Sequence, residues 1–204
     1  GGGRGAAPRH ARDWRLGATM GGRAFALTLL LLPSASWAEA QRDTFVTGFG
    51  GIMTDDTWGD AIQLWQTRFV KSGFAGVAFG QTLATAGSFG FGYEVQAVQH
   101  FGEQTHQEGN LPLVLRYHIG PDTVVSSVAY GLGLSWVSEK PRGELRRKGD
   151  ANATQVYWMG EIEFNLPETT LDAVVRLHHR SDAYGLFPVD NGSNAFALGL
   201  RHRF

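Results

Sequence analysis

The residues best equipped for chemistry lie close to the carboxyl end, within Val174 to Phe204, VVRLHHRSDAYGLFPVDNGSNAFALGLRHRF. His179 offers an imidazole base, Ser181 a hydroxyl nucleophile, and Asn194 an amide able to fix an imidazole's tautomer. Their spacing ties them together, because side chains of a strand alternate between two faces with a period of two. The row Leu171-Ala173-Val175-Leu177 is apolar throughout and continues into His179 and Ser181. In the following strand the apolar row Phe196-Leu198-Leu200 meets Asn194 one step back. A base, a nucleophile and an amide thus share the greasy face of one hairpin near its loop. Polar groups placed there point to a site that works on a lipid.

The rest of the chain has to position that face. At 204 residues, 43% hydrophobic, it allows one domain of ordinary size, and its net charge of −1 lacks the basic excess that nucleic-acid binding needs. Cysteine is absent, which excludes a disulfide framework and thiolate metal ligands. Near the amino end, Arg23 precedes the apolar run Ala24 to Leu32, followed by Pro33-Ser34-Ala35-Ser36-Trp37-Ala38. A charged start, a short apolar core and small residues at a cleavage site make a secretory signal, and the run is too short to span a bilayer as a helix. Residues 1–38 are therefore expected to be a signal peptide, with Met20 as the natural start, Gly1 to Thr19 an upstream extension, and cleavage after Ala38 or Ala40. Residues 39–204 are expected to form one barrel domain.

Alternation repeats along that domain. Phe45-Thr47-Phe49-Gly51 opposes Val46-Gly48-Gly50-Ile52, and a Trp-rich loop from Thr54 to Arg68 leads to the glycine-rich stretch Val70 to Leu83, where alternation is weakest. Four more alternating segments follow, at 89–97, 110–117, 124–136 and 155–164, and the closing hairpin brings the count to eight. Glu94, Arg116, Glu161, Glu163, Asp172, Arg176, Arg201 and Arg203 all lie opposite an apolar row. A soluble sandwich turns such charges to water, whereas a small membrane barrel pairs them in its interior and turns the apolar rows to lipid. Connections that alternate between short and long favour the barrel, as does Phe204 ending an alternating strand, a feature expected of substrates of the barrel-assembly machinery. Trp136, Tyr117, Phe101 and Trp158 are expected near strand ends, where interfacial aromatics belong. The expected fold is all-β: an eight-stranded antiparallel up-and-down transmembrane β-barrel in the outer membrane of a Gram-negative bacterium.

The stretch His179-Arg180-Ser181-Asp182, with Ala183-Tyr184-Gly185-Leu186 after it, resembles the lipid A 3-O-deacylase (PagL) family, acyloxyacyl-hydrolase-like outer-membrane barrels with a His-x-Ser-Asn motif on the penultimate strand. The resemblance covers the closing hairpin; elsewhere only the barrel rhythm matches. It implies Ser181 as nucleophile, His179 as base, a fatty acyl ester of lipid A in lipopolysaccharide as substrate, and no metal or cofactor. Two positions depart from the family pattern. Asn194 stands where the family has the glutamate that orients the histidine, and an amide cannot offset an imidazolium charge. Asp182 stands where the family has an asparagine thought to help form the oxyanion hole, and a carboxylate there would repel developing negative charge. Backbone N–H groups around Asp182 and Gly185 are the expected replacement donors, and Asp190 is a fallback acid.

Other clusters have plainer readings. His100, Glu103, His106 and Glu108 could ligate a metal, but loop histidines without fixed spacing are usually solvated, and none is expected here. Lys140, Arg142, Arg146, Arg147 and Lys148 either grip lipid A phosphates or form a wet loop balanced by Glu139, Glu144 and Asp150. His178 is expected to pack inside, Arg176 to pair with an interior acid, and His202 to face lipid at the far end. The alternatives to an esterase are a non-catalytic structural or lipid-binding outer-membrane barrel and a secreted soluble barrel for a hydrophobic ligand. The expected surroundings are lipid A and outer-membrane lipid; homodimerisation is left open by the sequence.

Overall fold

A computed structural model describes residues 43–54, 67–120 and 122–204. The expected signal segment and most of the Trp-rich loop lie outside the described residues. Eight strands follow in chain order: β1 Thr44–Thr54, β2 Phe69–Ala86, β3 Phe89–Gly102, β4 Gln107–His118, β5 Val125–Val137, β6 Thr154–Asn165, β7 Leu171–Ser181 and β8 Gly192–Arg203. Each pairs antiparallel with its sequence neighbour, and β8 closes on β1 from Phe45↔Arg203 to Thr54↔Asn194. The glycine-rich stretch of weak alternation is the longest of these strands. The one described helix, α1 (Arg142–Lys148), interrupts the connection between β5 and β6 and ends at Gly149 in a left-handed conformation, φ +75°. That helix is not legible in the charge pattern of its segment.

The two faces of the wall divide as membrane physics requires. Leu111, Leu113, Leu132, Leu134, Leu198 and Leu200 point outward and are each about half exposed or more. Glu94, Arg116, Glu161, Glu163, Arg176 and Arg201 point inward and are buried. An apolar outer surface around an eight-stranded interior filled by side chains is the arrangement of a small membrane barrel. A soluble sandwich would place these rows the other way round.

Inside, three carboxylates meet three guanidiniums. Glu161 accepts from Arg116 at 2.8 Å, from Arg176 at 2.5 Å and from Arg201 at 2.8 Å. Glu163 pairs with Arg116 at 2.8 Å and also with Arg201, while Glu94 takes Arg176 at 3.0 Å and Arg201 at 3.3 Å. Arg203 completes the cluster at the end with short connections, pairing with Glu163, Asp172 and Asp43.

In β1 the aromatic row faces inward instead of toward lipid. Phe45 and Phe49 are buried, and the guanidiniums of Arg201 and Arg176 lie over their rings at 4.2 and 5.0 Å from the centroids. A cation over an aromatic face is favourable when both are desolvated. This packing explains the glycines of β2: a Cβ on Gly80 would lie 2.2 Å from the Phe45 ring, and one on Gly76 2.9 Å from the Phe49 ring. The weak alternation read there reflects room made for inward rings.

Removing Glu161 leaves three buried guanidiniums undercompensated. Glu161→Ala is expected to cost the folded barrel about 3–5 kcal/mol, the scale of breaking a buried ion pair. Glu103→Ala, which breaks only the half-exposed pair with Arg146, is expected to cost less than about 1 kcal/mol. Urea unfolding in detergent micelles, followed by tryptophan fluorescence, checks both.

Candidate functional site

The long connections at 138–153 and 182–191 gather at one end of the barrel, together with the connection at 103–106. β7 delivers His179 and Ser181 to that end on its outward row. Register sets their neighbours: His179 stands opposite Asn194 on β8 and opposite Trp158 on β6, while Ser181 faces Gly192 and Val156. His179 Nδ1 and Asn194 Oδ1 are 2.5 Å apart, so the ring nitrogen donates to the amide oxygen. Asn194 is buried despite its outward row, and the Trp158 indole meets the imidazole edge-on, 6.3 Å between ring centroids. Trp158 therefore stands within its strand as a wall of the site, and not at a strand end as the sequence suggested. Phe101, Tyr117 and Trp136 are exposed.

A groove of about 410 Å³ opens along this outer wall, with Tyr130, Leu132, Val156 and Trp158 as its apolar side and His179 and Ser181 as its polar end. Asp182, Ala183, Tyr184 and Asp190 close the rim. An apolar channel ending in a base and a hydroxyl suits a ligand that is hydrocarbon along most of its length and polar at one point.

The loop after Ser181 departs from expectation. The Asp182 N–H donates to Asn191 O at 3.1 Å, and the Gly185 N–H donates to Asp182 Oδ2 at 2.6 Å. Both backbone donors expected to serve an oxyanion are engaged within the loop, which also binds up the Asp182 carboxylate. The N–H that faces the Ser181 hydroxyl is that of Ala183, at 3.4 Å. Ala183, Tyr184 and Gly185 run in succession at φ +53°, +60° and +92°, a left-handed turn that leaves Tyr184 fully exposed beside the groove. Asp190, the fallback acid, pairs with Lys148 at 3.1 Å.

The basic side chains of the loop are exposed, as in the wet-loop reading, and several of them are also paired. Lys140 pairs with Asp150 at 2.5 Å, Arg146 with Glu103 at 2.9 Å, and Arg147 donates to Gly192 O. Glu144, expected to balance these charges in solvent, lies in the first turn of α1 with its side chain buried, accepting from Ser193 Oγ at 3.2 Å and lying 3.4 Å from Arg180. Asn191 donates to the carbonyls of Glu144 and Asp150 at 2.9 and 3.1 Å. The segment after β5 therefore holds the segment that follows the candidate nucleophile. Sequence parity held no signal for this clamp, because α1 breaks the strand period.

Inside the wall lie three further histidines, His100, His106 and His178. His178 faces Glu108 Oε1 at 3.2 Å and Tyr157 Oη at 3.3 Å, and Arg176 pairs with interior acids, both as expected. His202 is exposed at the opposite end. His100, His106 and Glu108, expected to be solvated loop residues, are instead buried inside the barrel. His106, in the connection outside the strands, is pushed down to about 4, first by burial and then by His100 beside it.

A closed antiparallel barrel, apolar outside and ion-paired inside, with a His–Asn pair and a serine on its outer wall, is a membrane β-barrel of the outer-membrane type. No protein-family model matches the chain, and no curated protein matches it. Among solved structures it is similar to the outer membrane enzyme PagL, with a TM-score of 0.52 and 13% identity over 78% of this chain and 98% of that one. Neisserial surface protein A (TM-score 0.46, 9% identity) is matched over 79% of this chain and 97% of its own. The outer membrane protein OprG from Pseudomonas aeruginosa (TM-score 0.39, 12% identity) is matched over 80% and 96%. At these identities the likeness to PagL shows the eight-stranded fold.

Burial raises the Glu144 carboxyl above its ordinary range, with Arg180 pulling the other way. A folded-state value above the unfolded one stabilises fully below the unfolded value of 4.5, and that contribution is lost as pH rises through the raised value. The clamp is therefore expected to loosen as pH rises, and Glu144→Gln to remove this slope. Amide exchange at 190–193, corrected for intrinsic rates across a pH series, checks it.

Proposed function

We propose that this chain is an outer-membrane esterase that removes an ester-linked fatty acyl chain from lipid A of lipopolysaccharide, without metal or cofactor. The observation that carries the reading is the His179–Asn194 hydrogen bond on the lipid-facing wall, in the groove that also holds Ser181. With Nδ1 donating to Asn194, the neutral imidazole presents Nε2 as its base. Nε2 takes the Ser181 proton as Oγ attacks the ester carbonyl, and returns it to the departing sugar oxygen. Water, activated by the same nitrogen, then releases the fatty acid from the acyl-serine. The acyl chain stays against Tyr130, Leu132 and Trp158 at the level of the bilayer, so lipid A need not leave the membrane. The Ala183 N–H, which donates to Ser181 Oγ at 3.4 Å in the resting site, turns to the oxyanion as Oγ attacks, and the Asp182 carboxylate, accepting from the Gly185 N–H, plays no part in it.

The resemblance of His179-x-Ser181 to the deacylase motif supports this assignment. A second reading rests on Asn194 and Asp182: without an acid behind the histidine, the barrel serves as a structural or lipid-binding envelope protein. In either reading its surroundings are outer-membrane lipid and, during biogenesis, the barrel-assembly machinery. The soluble-barrel alternative is disfavoured by the apolar outer wall.

Ser181→Ala and His179→Ala are expected to leave heat-modifiable barrels in the membrane and to abolish release of fatty acid from purified lipopolysaccharide. Mass spectrometry of lipid A reads the outcome, and lipid A left unchanged by the intact protein would remove the enzymatic reading. Asn194→Glu is expected to raise the rate if the site is live; no rate in either protein would favour the structural barrel.

A further inference from the structure

In the barrel interior, on β3, β4 and the connection between them, three groups of metal-ligating type converge. His100 lies on β3 two residues before its end, Glu108 is the second residue of β4, and His106 sits in the connection between them. One ligand atom from each lies within 4.8 Å of the others, and all three residues are buried. The imidazoles stack at 4.2 Å, and His100 Nε2 meets Glu108 Oε2 at 2.7 Å. His100 Nδ1 is buried with no hydrogen-bond partner among the described residues.

The surroundings resemble a ligand shell. The second carboxylate oxygen of Glu108 accepts from Ser135 Oγ at 2.7 Å and from His178 Nε2 at 3.2 Å, which fixes the orientation of the carboxylate while its first oxygen faces His100. Outer partners of this kind orient ligands in metal sites. Burial also separates this trio from the fourth candidate of the sequence, Glu103, which is turned outward onto Arg146.

We infer that His100, His106 and Glu108 form a binding site for one zinc-class divalent cation at the loop-bearing mouth of the barrel interior. Two imidazoles and one carboxylate suit Zn²⁺, whereas Ca²⁺ and Mg²⁺ favour all-oxygen sets. Tetrahedral Zn²⁺ with bonds of about 2.0–2.2 Å holds its ligand atoms roughly 3.3–3.6 Å apart, so the 2.7 Å contact between His100 and Glu108 opens on binding while separations toward the 4.8 Å limit close. The connection carrying His106 also meets α1, where Gly143 N donates to Gln104 Oε1 at 3.3 Å. The cation therefore ties the 103–106 connection to β3 and β4 beneath the helix that clamps the outer loops. This role is structural and independent of the esterase reading.

Untagged barrel folded in detergent, titrated with Zn²⁺ alone by calorimetry, is expected to bind one ion per chain and to unfold at a higher temperature when loaded. His106→Gln, which changes a residue outside every strand, is expected to lose the binding while remaining heat-modifiable. Ser135→Ala is expected to weaken it roughly 10–100-fold, the scale of losing an outer partner. Ser181→Ala and His202→Ala are expected to bind as the parent does, which separates this site from the groove and from adventitious histidines. Co²⁺ added to the parent protein supplies a reading that needs no variant, since four-coordinate Co²⁺ shows intense visible d–d bands. Absence of saturable Zn²⁺ binding, absence of those bands, or binding unchanged in folded His106→Gln would each overturn the site and leave a hydrogen-bonded histidine–carboxylate cluster.

Discussion

Charge neutrality inside a narrow closed wall is the constraint on which this molecule depends. Eight strands enclose an interior that side chains fill, so a guanidinium pointing inward must meet a carboxylate there or leave an uncompensated buried charge. Glu94, Glu161 and Glu163 come from β3 and β6, and Arg116, Arg176 and Arg201 from β4, β7 and β8. Their mutual pairing only works in one register. A slip of a single residue in any of these strands would turn its charge into the bilayer, at a cost of several kcal/mol. The ion-pair core thus selects the outward rows as firmly as the apolar side chains do.

That selection is what places the candidate site. On β7, Arg176, His178 and Arg180 face in, each held by an acid or amide, and this leaves Leu177, His179 and Ser181 no choice but to face out. The inner and outer chemistries share one strand: the imidazole that meets Glu108 and the imidazole that meets Asn194 are adjacent residues. Rigidity on the inside is transmitted to the groove through the backbone between them. The loop beyond Ser181 is held separately, by Asn191 and Ser193 against Glu144, so strand and loop bring different kinds of order to the same site.

Period-two alternation made much of the fold legible, including the eight strands, the inward charges and the shared face of His179, Ser181 and Asn194. It left the facing of β1 open, because hydropathy cannot distinguish a ring meant for lipid from one meant to lie under an arginine, and Phe45 and Phe49 turn inward there. It made β2 look weak, since the glycines that accommodate those rings carry no side-chain signal. It read His100, His106 and Glu108 as wet because it ended the strands too early: His100 and Glu108 continue the inward rows of β3 and β4, and only His106 lies in the four-residue connection, whose fold over the mouth of the barrel strand parity does not encode. Trp158 could have been assigned to the groove from sequence, since strand register places it beside His179.

The two departures from the deacylase pattern have unequal weight once the geometry is known. The Asp182 carboxylate is spent on the Gly185 N–H, and the backbone of Asp182 on Asn191, Leu186 and Phe187, so its role is to fold the left-handed turn that carries Tyr184. Asn194 is different, because it touches His179, the base of the proposed reading. An amide oxygen at 2.5 Å orients the ring as a carboxylate would, so the resting geometry survives the exchange. What it lacks is charge, and charge matters only when the ring becomes an imidazolium, in a partly buried position where little solvent can compensate. On the proposed reading the deficit is therefore confined to the transition state: the groove holds its acyl chain as well as it would with glutamate, and the loss falls on turnover and not on substrate binding.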